Sequence, residues 1–428
     1  MRSLFWGLYQ LATAVALVTA GPFLLLRRGA HYLPTLAGRL GRGPGDAVPG
    51  GLWLHAVSVG EAGVAATLAR ALPEGLPLLV STVTPTGQAR AQALFLQAPP
   101  GGRPAAVAYL PFDLGFAVRR FFDRHRPRAL VLVEGDYWPL VLREARRRGL
   151  PVAVVNGRVG DRSFARLRRL RGLLGPLFGG VDRFGVQTAL DRDRLLELGI
   201  PGERITVTGN LKYESPEPPR KPELEETLRT LAAGRPILLA GSTMAGEEEQ
   251  VLDAHARAGG GARALLVLAP RHPERWDAVA ALLAARGTAA LRRSRLPEDA
   301  PPPDVLLLDS LGELAGLYRL AAAAFIGGTL VPTGGHNPLE AARFAVPVVV
   351  GPSMHNFREM AEQFDRTAAW RRAADAAALG SIWAEWLDDP AAARAQGERA
   401  ARLIAESRGA LERTLQMLAG LLPTPSHS

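Results

Sequence analysis

Cysteine is absent from this chain of 428 residues, which excludes disulfides and thiolate metal sites. Lysine and asparagine are nearly absent too. Of 51 cationic side chains only Lys212 and Lys221 are lysine, and the asparagines are Asn156, Asn210, Asn337 and Asn356. In a chain so biased toward Ala, Arg, Gly and Pro, a residue type otherwise avoided marks a place where its chemistry is required. All four asparagines and Lys212 fall in loops after expected strands or just before expected helices, where ligands bind in open α/β sheets. Nucleotide-loop signatures are missing as well. No G-x-G-x-x-G follows the first expected strand, and there is neither a Walker loop nor a G-x-S-x-G elbow. NAD and ATP chemistry therefore lack support. His272 has no metal-ligand partner four residues on and no Cys/His cluster around it, so no metal site is expected.

What is present is basic charge and apolar core material. The net charge is +10 and 47% of residues are apolar, enough for two or more domains. Basic excess points to nucleic acid, an anionic membrane surface or a phosphorylated substrate. The arginines concentrate between Arg119 and Arg171, in runs such as Arg146-Arg147-Arg148 and Arg166-Leu167-Arg168-Arg169. No aromatic residue falls inside those runs and no RNP-type motif occurs, which disfavours nucleic acid. Solvated helix faces account for many of these arginines.

The N-terminus favours a membrane. Leu4 to Leu26 is uncharged, with Trp6 and Tyr9 near its start and Arg27, Arg28, Arg39 and Arg42 after it. As a helix it would span ~34 Å against a hydrocarbon core of ~30 Å. Residues 1–28 are thus expected to form an anchor, with the rest of the chain on the cytoplasmic side. A signal peptide cleaved near Ala20 is the rival reading. A helix kinked at Gly21-Pro22 and lying half inserted is a third.

Beyond the anchor, short apolar runs alternate with longer amphipathic ones. Strands are expected at Leu52–Val57, Leu78–Val83, Val107–Leu110, Ala129–Glu134 and Val152–Asn156. The Pro-rich stretch from Glu214 to Pro222 reads as a linker. The alternation then restarts at Ile237–Gly241, Ala264–Ala269, Val305–Asp309, Ala323–Gly327 and Val346–Gly351. From Ala391 to Leu421 the chain is expected to be mostly helix, broken at Gly409. The reading is α/β: two similar, doubly wound, parallel-sheet domains at 29–213 and 223–428, joined by a linker at 214–222, with a ligand cleft between them. The C-terminal helices are candidates to pack back on the N-terminal domain.

Several strand-to-helix junctions carry chemistry. In His55-Ala56-Val57-Ser58-Val59-Gly60-Glu61, Ser58 and Glu61 fit a capping box, and a carboxylate there is also placed to act as a general base. The two roles conflict, because a carboxylate that accepts cap hydrogen bonds is a weaker base. In Glu134-Gly135-Asp136-Tyr137-Trp138-Pro139, two acids follow a Val/Leu strand; Asp136 as a helix cap and Trp138 as core are the plain alternative. Gly209-Asn210-Leu211-Lys212-Tyr213 is a glycine turn carrying the rare lysine, a point charge suited to a phosphate or a developing anion. Pro270-Arg271-His272-Pro273-Glu274-Arg275 offers Arg271 as a bidentate anion clamp, or simply as a loop arginine. Ser310-Leu311-Gly312-Glu313-Leu314 fits another capping box, and Gly241-Ser242-Thr243 makes one more glycine-and-hydroxyl turn. In Gly334-Gly335-His336-Asn337-Pro338-Leu339-Glu340, Asn337 fits an N-cap, Pro338 the first helical position and Glu340 the box acid. That end would attract phosphate or sugar oxygens, or be a well-capped structural helix.

Taken in order, five of these motifs and two more resemble the Kdo transferases of Gram-negative bacteria, which move 3-deoxy-D-manno-octulosonic acid (Kdo) from CMP-Kdo to lipid A precursors. The resemblance rests on His55 to Glu61, Thr84-Pro85-Thr86-Gly87, Tyr109-Leu110-Pro111-Phe112-Asp113, Gly209-Asn210-Leu211-Lys212, Pro270 to Arg275, Gly312-Glu313-Leu314 and Gly334 to Glu340. It implies a GT-B fold of two Rossmann-like domains, the acceptor held by the N-terminal one and the donor by the C-terminal one. It also implies an inverting, metal-independent transfer without a cofactor, to lipid IVA in the lipopolysaccharide pathway. By the same resemblance Glu61 is the general base, and Glu134 and Lys212 stabilise the transition state. Pro270, Arg271, Gly312, Glu313, Leu314, Asn337, Pro338, Leu339 and Glu340 hold the CMP part of the donor. The implied partners are CMP-Kdo, the lipid A precursor and the anionic inner-membrane surface.

Two motifs depart from the family pattern. Glu134-Gly135-Asp136-Tyr137-Trp138-Pro139 stands where the family often has Glu-x-Glu-x-Trp-Pro, and Asn156-Gly157-Arg158-Val159-Gly160 where it often has Asn-Ala-Arg-Leu-Ser. Both lie in the acceptor half. The alternative reading is a GT-B transferase or epimerase that uses a UDP-linked sugar.

Overall fold

A computed structural model describes residues 6–7, 9–16, 18–19, 33–42, 47–169, 171, 178–214, 217–297 and 300–421. The chain divides into two compact units, one of Met1–Pro216 with Ser407–Ser428 and the other of Glu217–Glu406. Each unit is built on a seven-stranded parallel sheet.

In unit 1 the strands are β1 (Leu52–His55), β2 (Leu78–Thr82), β3 (Ala105–Tyr109), β4 (Ala129–Val133), β5 (Val152–Gly157), β6 (Arg183–Val186) and β7 (Ile205–Val207). Their order across the sheet is β3-β2-β1-β4-β5-β6-β7, and every pairing is parallel. The order reverses between β1 and β4. There, connections leave the carboxyl ends of neighbouring strands in opposite directions and open a crevice. Both faces of the sheet are covered, which is why β1, β2, β4 and β5 are fully buried apolar runs rather than alternating ones. Trp53, Leu79, Leu130, Leu132 and Val154 belong to the core on one face. Leu54, Val80, Val131, Val133 and Val155 belong to the core on the other.

Unit 2 repeats the plan with β8 (Ile237–Thr243), β9 (Leu265–Pro270), β10 (Ala290–Arg292), β11 (Val305–Leu307), β12 (Ala323–Ile326), β13 (Val348–Val350) and β14 (Arg371–Arg372). The order is β10-β11-β9-β8-β12-β13-β14, all parallel, reversing between β8 and β12. Four strands lay outside the sequence expectation: β6, β7, β10 and β14. All lie away from the sheet centres and have two to four residues, too short for a period-2 pattern.

The Pro-rich stretch is bounded as its composition requires. A 3-10 turn ends at Glu214 and a helix opens with Pro222 at its first position, where a missing N–H costs nothing. Gly409 does break the C-terminal helix. It adopts φ +84° between helices Pro390–Glu406 and Ala410–Ala419, and the second of these packs on unit 1 against residues 211–214. There Glu214, distant in sequence, accepts from Ala410 N at 2.8 Å and caps that helix.

The expected anchor, Leu4 to Leu26, lies only partly within the described residues; residues 4–5, 8, 17 and 20–26 fall outside them. Residues 6–7, 9–16 and 18–19 are helical. They are two-sided. Trp6 is buried in the unit 1 core, with Tyr9, Gln10 and Thr13 half-buried on the same stripe. Leu11, Val15 and Val18 are exposed at 62%, 52% and 74%. No helix among the described residues is long and apolar enough to cross a membrane.

Candidate active site

Unit 1 gathers its polar chemistry at the carboxyl ends of β1, β4 and β5, beside the point where the strand order reverses. Ser58 caps the helix Val59–Ala71: its hydroxyl accepts from Glu61 N at 3.3 Å. The Glu61 carboxylate answers by accepting from Val57 N at 2.8 Å and from the Ser58 hydroxyl at 2.9 Å. Glu61 is thus a cap, as the local pattern predicted. The cap bonds do weaken it as a base, as expected, but they are outweighed. Burial pushes the carboxyl from 4.5 up to about 7, and the nearby charges of Glu134 and Asp136 push the same way, against the pull of Val57 N and Ser58. Burial wins, so the group is poised to exchange a proton near neutral pH. His55, in the same motif, is part of the sheet. It is buried, bonds Ser81 of β2 through Nδ1 at 2.8 Å, and is held down at about 4 by burial.

Glu134 and Lys212, far apart in sequence, form an ion pair of 2.7 Å. Glu134 sits just after β4 at φ +64°, a conformation costly for a side chain with a Cβ and found most often where function over-determines it. Asn156, also left-handed at φ +54°, donates to Glu134 Oε1 at 3.3 Å and accepts from Leu211 N at 2.8 Å. Asn210 accepts from Lys212 N and donates to Gln187, which in turn donates to the Asn156 carbonyl. Two of the rare asparagines therefore fix the turn that delivers the rare lysine to Glu134. Their scarcity was the signal; their partners could not be read from spacing. Asp136 does not cap the helix Pro139–Arg147, contrary to one reading of the motif. It accepts from Trp138 Nε1 at 3.2 Å, and Asp113 caps that helix instead.

In unit 2 the donor-type residues line the carboxyl ends of β9, β11 and β12. Arg271 follows β9, anchored through its own N–H to Thr243 O at 2.9 Å, with an exposed guanidinium that has no hydrogen-bond or ion-pair partner among the described residues. It lies near His336, whose imidazole burial and the charges of Arg271 and His272 hold at about 4 and therefore neutral. The Gly334-Gly335 turn is shaped by close packing. Both glycines have positive φ, and a Cβ would strike Asn356 and His355 at the first and Met354 at the second.

The capping boxes expected here are not formed. The helix after Pro338 is a single turn, Leu339–Ala342, with no side-chain cap. Asn337 Oδ1 accepts from Leu339 N at 3.1 Å in a local turn. The helix at Leu314 is likewise one turn, Leu314–Leu317, without a side-chain cap. Such short turns carry little dipole, so the helix ends themselves offer little attraction to an anion. Glu313 is bonded by Ser310 and paired with Lys221 and Arg293; burial opposes its ionisation, and these partners outweigh it and hold it below its ordinary value. Gly312 is exposed at φ +76°, and Leu314 is half-buried. Pro338 and Leu339 are buried, and Glu340 lies near the buried Tyr318, whose hydroxyl crowds Gly241 beside Leu314. Gly241, Leu314 and Glu340 thus lie around Tyr318.

Sequence reasoning missed the two acids that shape this edge. Glu247 is fully buried and accepts from Met244 N, Gly328 N, Thr329 N and Leu330 N at 2.6–2.9 Å. Glu248 is buried beside it, bonded by Thr243 at 2.9 Å and by both arms of Arg275 at 2.6 and 2.9 Å. In the sequence they read as ordinary helix-start acids.

The family model for 3-deoxy-D-manno-octulosonic-acid transferase (kdotransferase) matches residues 34–215. The 3-deoxy-D-manno-octulosonic acid transferase of Bordetella pertussis is 37% identical over 393 residues, covering 90% of this chain and 91% of that protein. The enzyme of the same name from Haemophilus influenzae is 34% identical over 380 residues, covering 86% and 87%. Among solved structures, a UDP-GlcNAc 2-epimerase from Neisseria meningitidis bound to UDP-GlcNAc shares the fold, with a TM-score of 0.54, 11% identity and 86% of this chain covered, against 99% of its own.

Proposed function

The chain belongs to the 3-deoxy-D-manno-octulosonic acid transferase family, and from that premise we propose that it moves Kdo from CMP-Kdo to a hydroxyl of a lipid A precursor, lipid IVA, with inversion and without a metal or cofactor. The observation that carries the reading is the Glu61 carboxyl, raised to about 7 and set beside the Glu134–Lys212 pair. The acceptor hydroxyl attacks the anomeric carbon of Kdo and gives its proton to Glu61. The bond from that carbon to the phosphate oxygen breaks, and its electron pair leaves with CMP.

Positive charge is needed where the leaving group gathers negative charge. Arg271 supplies a bidentate fork for the phosphate, and Lys212, oriented by Glu134, supplies a point charge at the sheet edge. Gly312, Glu313, Leu314 and Asn337 to Glu340 bind the cytidine part, with Pro270 fixing the backbone that presents Arg271. Membrane attachment is through the exposed Leu11, Val15 and Val18 face, on the cytoplasmic side of the inner membrane, with the arginine-rich first unit drawn to anionic lipid.

Calorimetric titration of the purified chain with CMP, UDP and their sugars tests the donor. The reading expects CMP to bind and UDP to bind at least tenfold more weakly. A preference for UDP would instead support a transferase or epimerase of UDP-linked sugars.

A further inference from the structure

The motif Tyr109-Leu110-Pro111-Phe112-Asp113 has no part in the chemistry above, yet it ends in a buried carboxylate. Asp113 is 4% exposed. Its oxygens accept from Leu140 N at 3.0 and 3.1 Å and from Val141 N at 3.3 Å. These are the first N–H groups of the helix Pro139–Arg147, whose N-cap Trp138 offers no side-chain bond and whose first residue has no N–H. Asp113 is therefore that helix's cap, supplied from a distant part of the chain. The same carboxylate accepts from the Tyr9 hydroxyl at 2.7 Å. Trp6 lies in the core cluster that holds Leu140 and Val141, with the Arg143 guanidinium 4.9 Å from its ring. The rest of the motif grips a second early segment: Phe112 N donates to Arg39 O at 2.8 Å, and the Arg39 guanidinium lies 4.5 Å from the Tyr109 ring and donates to Val83 O at 2.6 Å.

We propose that Tyr9 and Asp113 are positioning residues for the Glu134 loop, so that the docked N-terminal segment is a working part of the catalytic unit and not only a tether. The helix held by Asp113 starts at Pro139, immediately after the loop Glu134–Trp138. Upstream, the loop is fixed to the sheet by Glu134 N on Val155 O at 2.9 Å. Further along, Arg158 N donates to Glu134 O at 3.2 Å and Tyr137 packs edge-on against Phe178, and the loop's last attachment is the helix start that Asp113 holds. Glu134 already sits at a strained φ, so a loosened helix start lets it relax and carries the carboxylate away from Lys212 and Glu61. The inference rests on the role given to Glu134 above.

The test compares Tyr9→Phe and Asp113→Asn with the wild type, using an acceptor dispersed in detergent so that membrane binding does not enter. Misplacement by an ångström costs on the order of 10²-fold in rate. Asp113→Asn is expected to lower kcat by ~10- to 100-fold and Tyr9→Phe by ~3- to 10-fold, with CMP affinity and the KM for the donor unchanged. The pH at half-maximal kcat should fall in Tyr9→Phe, which changes no charge, because Glu134 no longer raises Glu61 as strongly. Hydrogen–deuterium exchange over residues 134–141 needs no substrate and should be faster in both variants. Unchanged exchange in folded Tyr9→Phe would overturn the proposal, even if the donor assignment fails. So would wild-type kcat and pH profile in both variants, or a defect confined to the KM for the acceptor.

Discussion

Replacing Glu61 by Gln should raise stability and abolish most turnover, and both effects follow from one number. Burial lifts this carboxyl from 4.5 to about 7. At about 1.4 kcal/mol per tenfold, ionising it inside the fold costs about 3 kcal/mol relative to the unfolded chain. Partial exposure of the site to water reduces this to ~1–2 kcal/mol. The sign follows from linkage. The folded state holds the proton more tightly than the unfolded one, so the stabilisation is complete below the unfolded value and is lost as pH rises through about 7. Glutamine has no proton to lose. Its carbonyl still accepts from Val57 N and its amide can donate to Ser58, so the cap survives. Urea denaturation of both proteins between pH 3.5 and 9 should give the smallest difference in midpoint below the unfolded value of 4.5, an advantage of the variant that grows from there to about 7, and a constant difference above that. In the same protein kcat should drop ~10²- to 10⁴-fold, the reach of general-base catalysis, with CMP affinity retained. A stability difference that does not change with pH would refute the raised carboxyl. Unchanged turnover would reduce Glu61 to a cap.

Wild-type kcat should rise with pH through a limb near 7, as Glu61 ionises, and this limb should be missing in Glu61→Gln. Lys212→Ala should lower kcat by ~10²- to 10³-fold and move the limb upward, because it leaves the charge of Glu134 unopposed beside Glu61. Glu134→Gln should move the limb downward; pH–rate profiles of the two variants check both signs. Arg271→Ala should weaken CMP by ~10- to 100-fold in calorimetry, the worth of a charge-assisted bidentate contact, and unaltered affinity would mean that the donor phosphate lies elsewhere. Glu247→Ala strands four loop N–H groups and should destabilise unit 2 by ~3–5 kcal/mol, read as loss of its cooperative unfolding transition.

The parallel sheets were legible because their central strands are continuous apolar runs. Leu52–His55 and Ala129–Val133 leave no polar alternation to confuse with an exposed strand. That Lys212, Asn156 and Asn210 would sit at a structured junction was legible because these residue types stand out against an arginine-rich background. Pairing was not legible. Nothing local links Lys212 to Glu134, or Asp113 to Tyr9 and Leu140, since those contacts follow from strand order. Nor could a pattern show that Glu61 would keep its cap bonds and still be raised, because that depends on how much water the fold removes. The one-turn helices at Leu314 and Leu339 show the opposite failure. Their Ser/Asn and Glu spacing satisfies a capping rule, but the chain turns away before a second helical turn can form.

The most direct measurement is a mass-spectrometric assay of the purified full chain with CMP-Kdo and a tetra-acylated lipid A precursor. The account predicts that the precursor gains the mass of one or more Kdo residues as CMP is released, and that Glu61→Gln shows neither change on the same timescale. An unmodified precursor alongside intact CMP-Kdo, or equal mass gain by the Glu61→Gln protein, would contradict it.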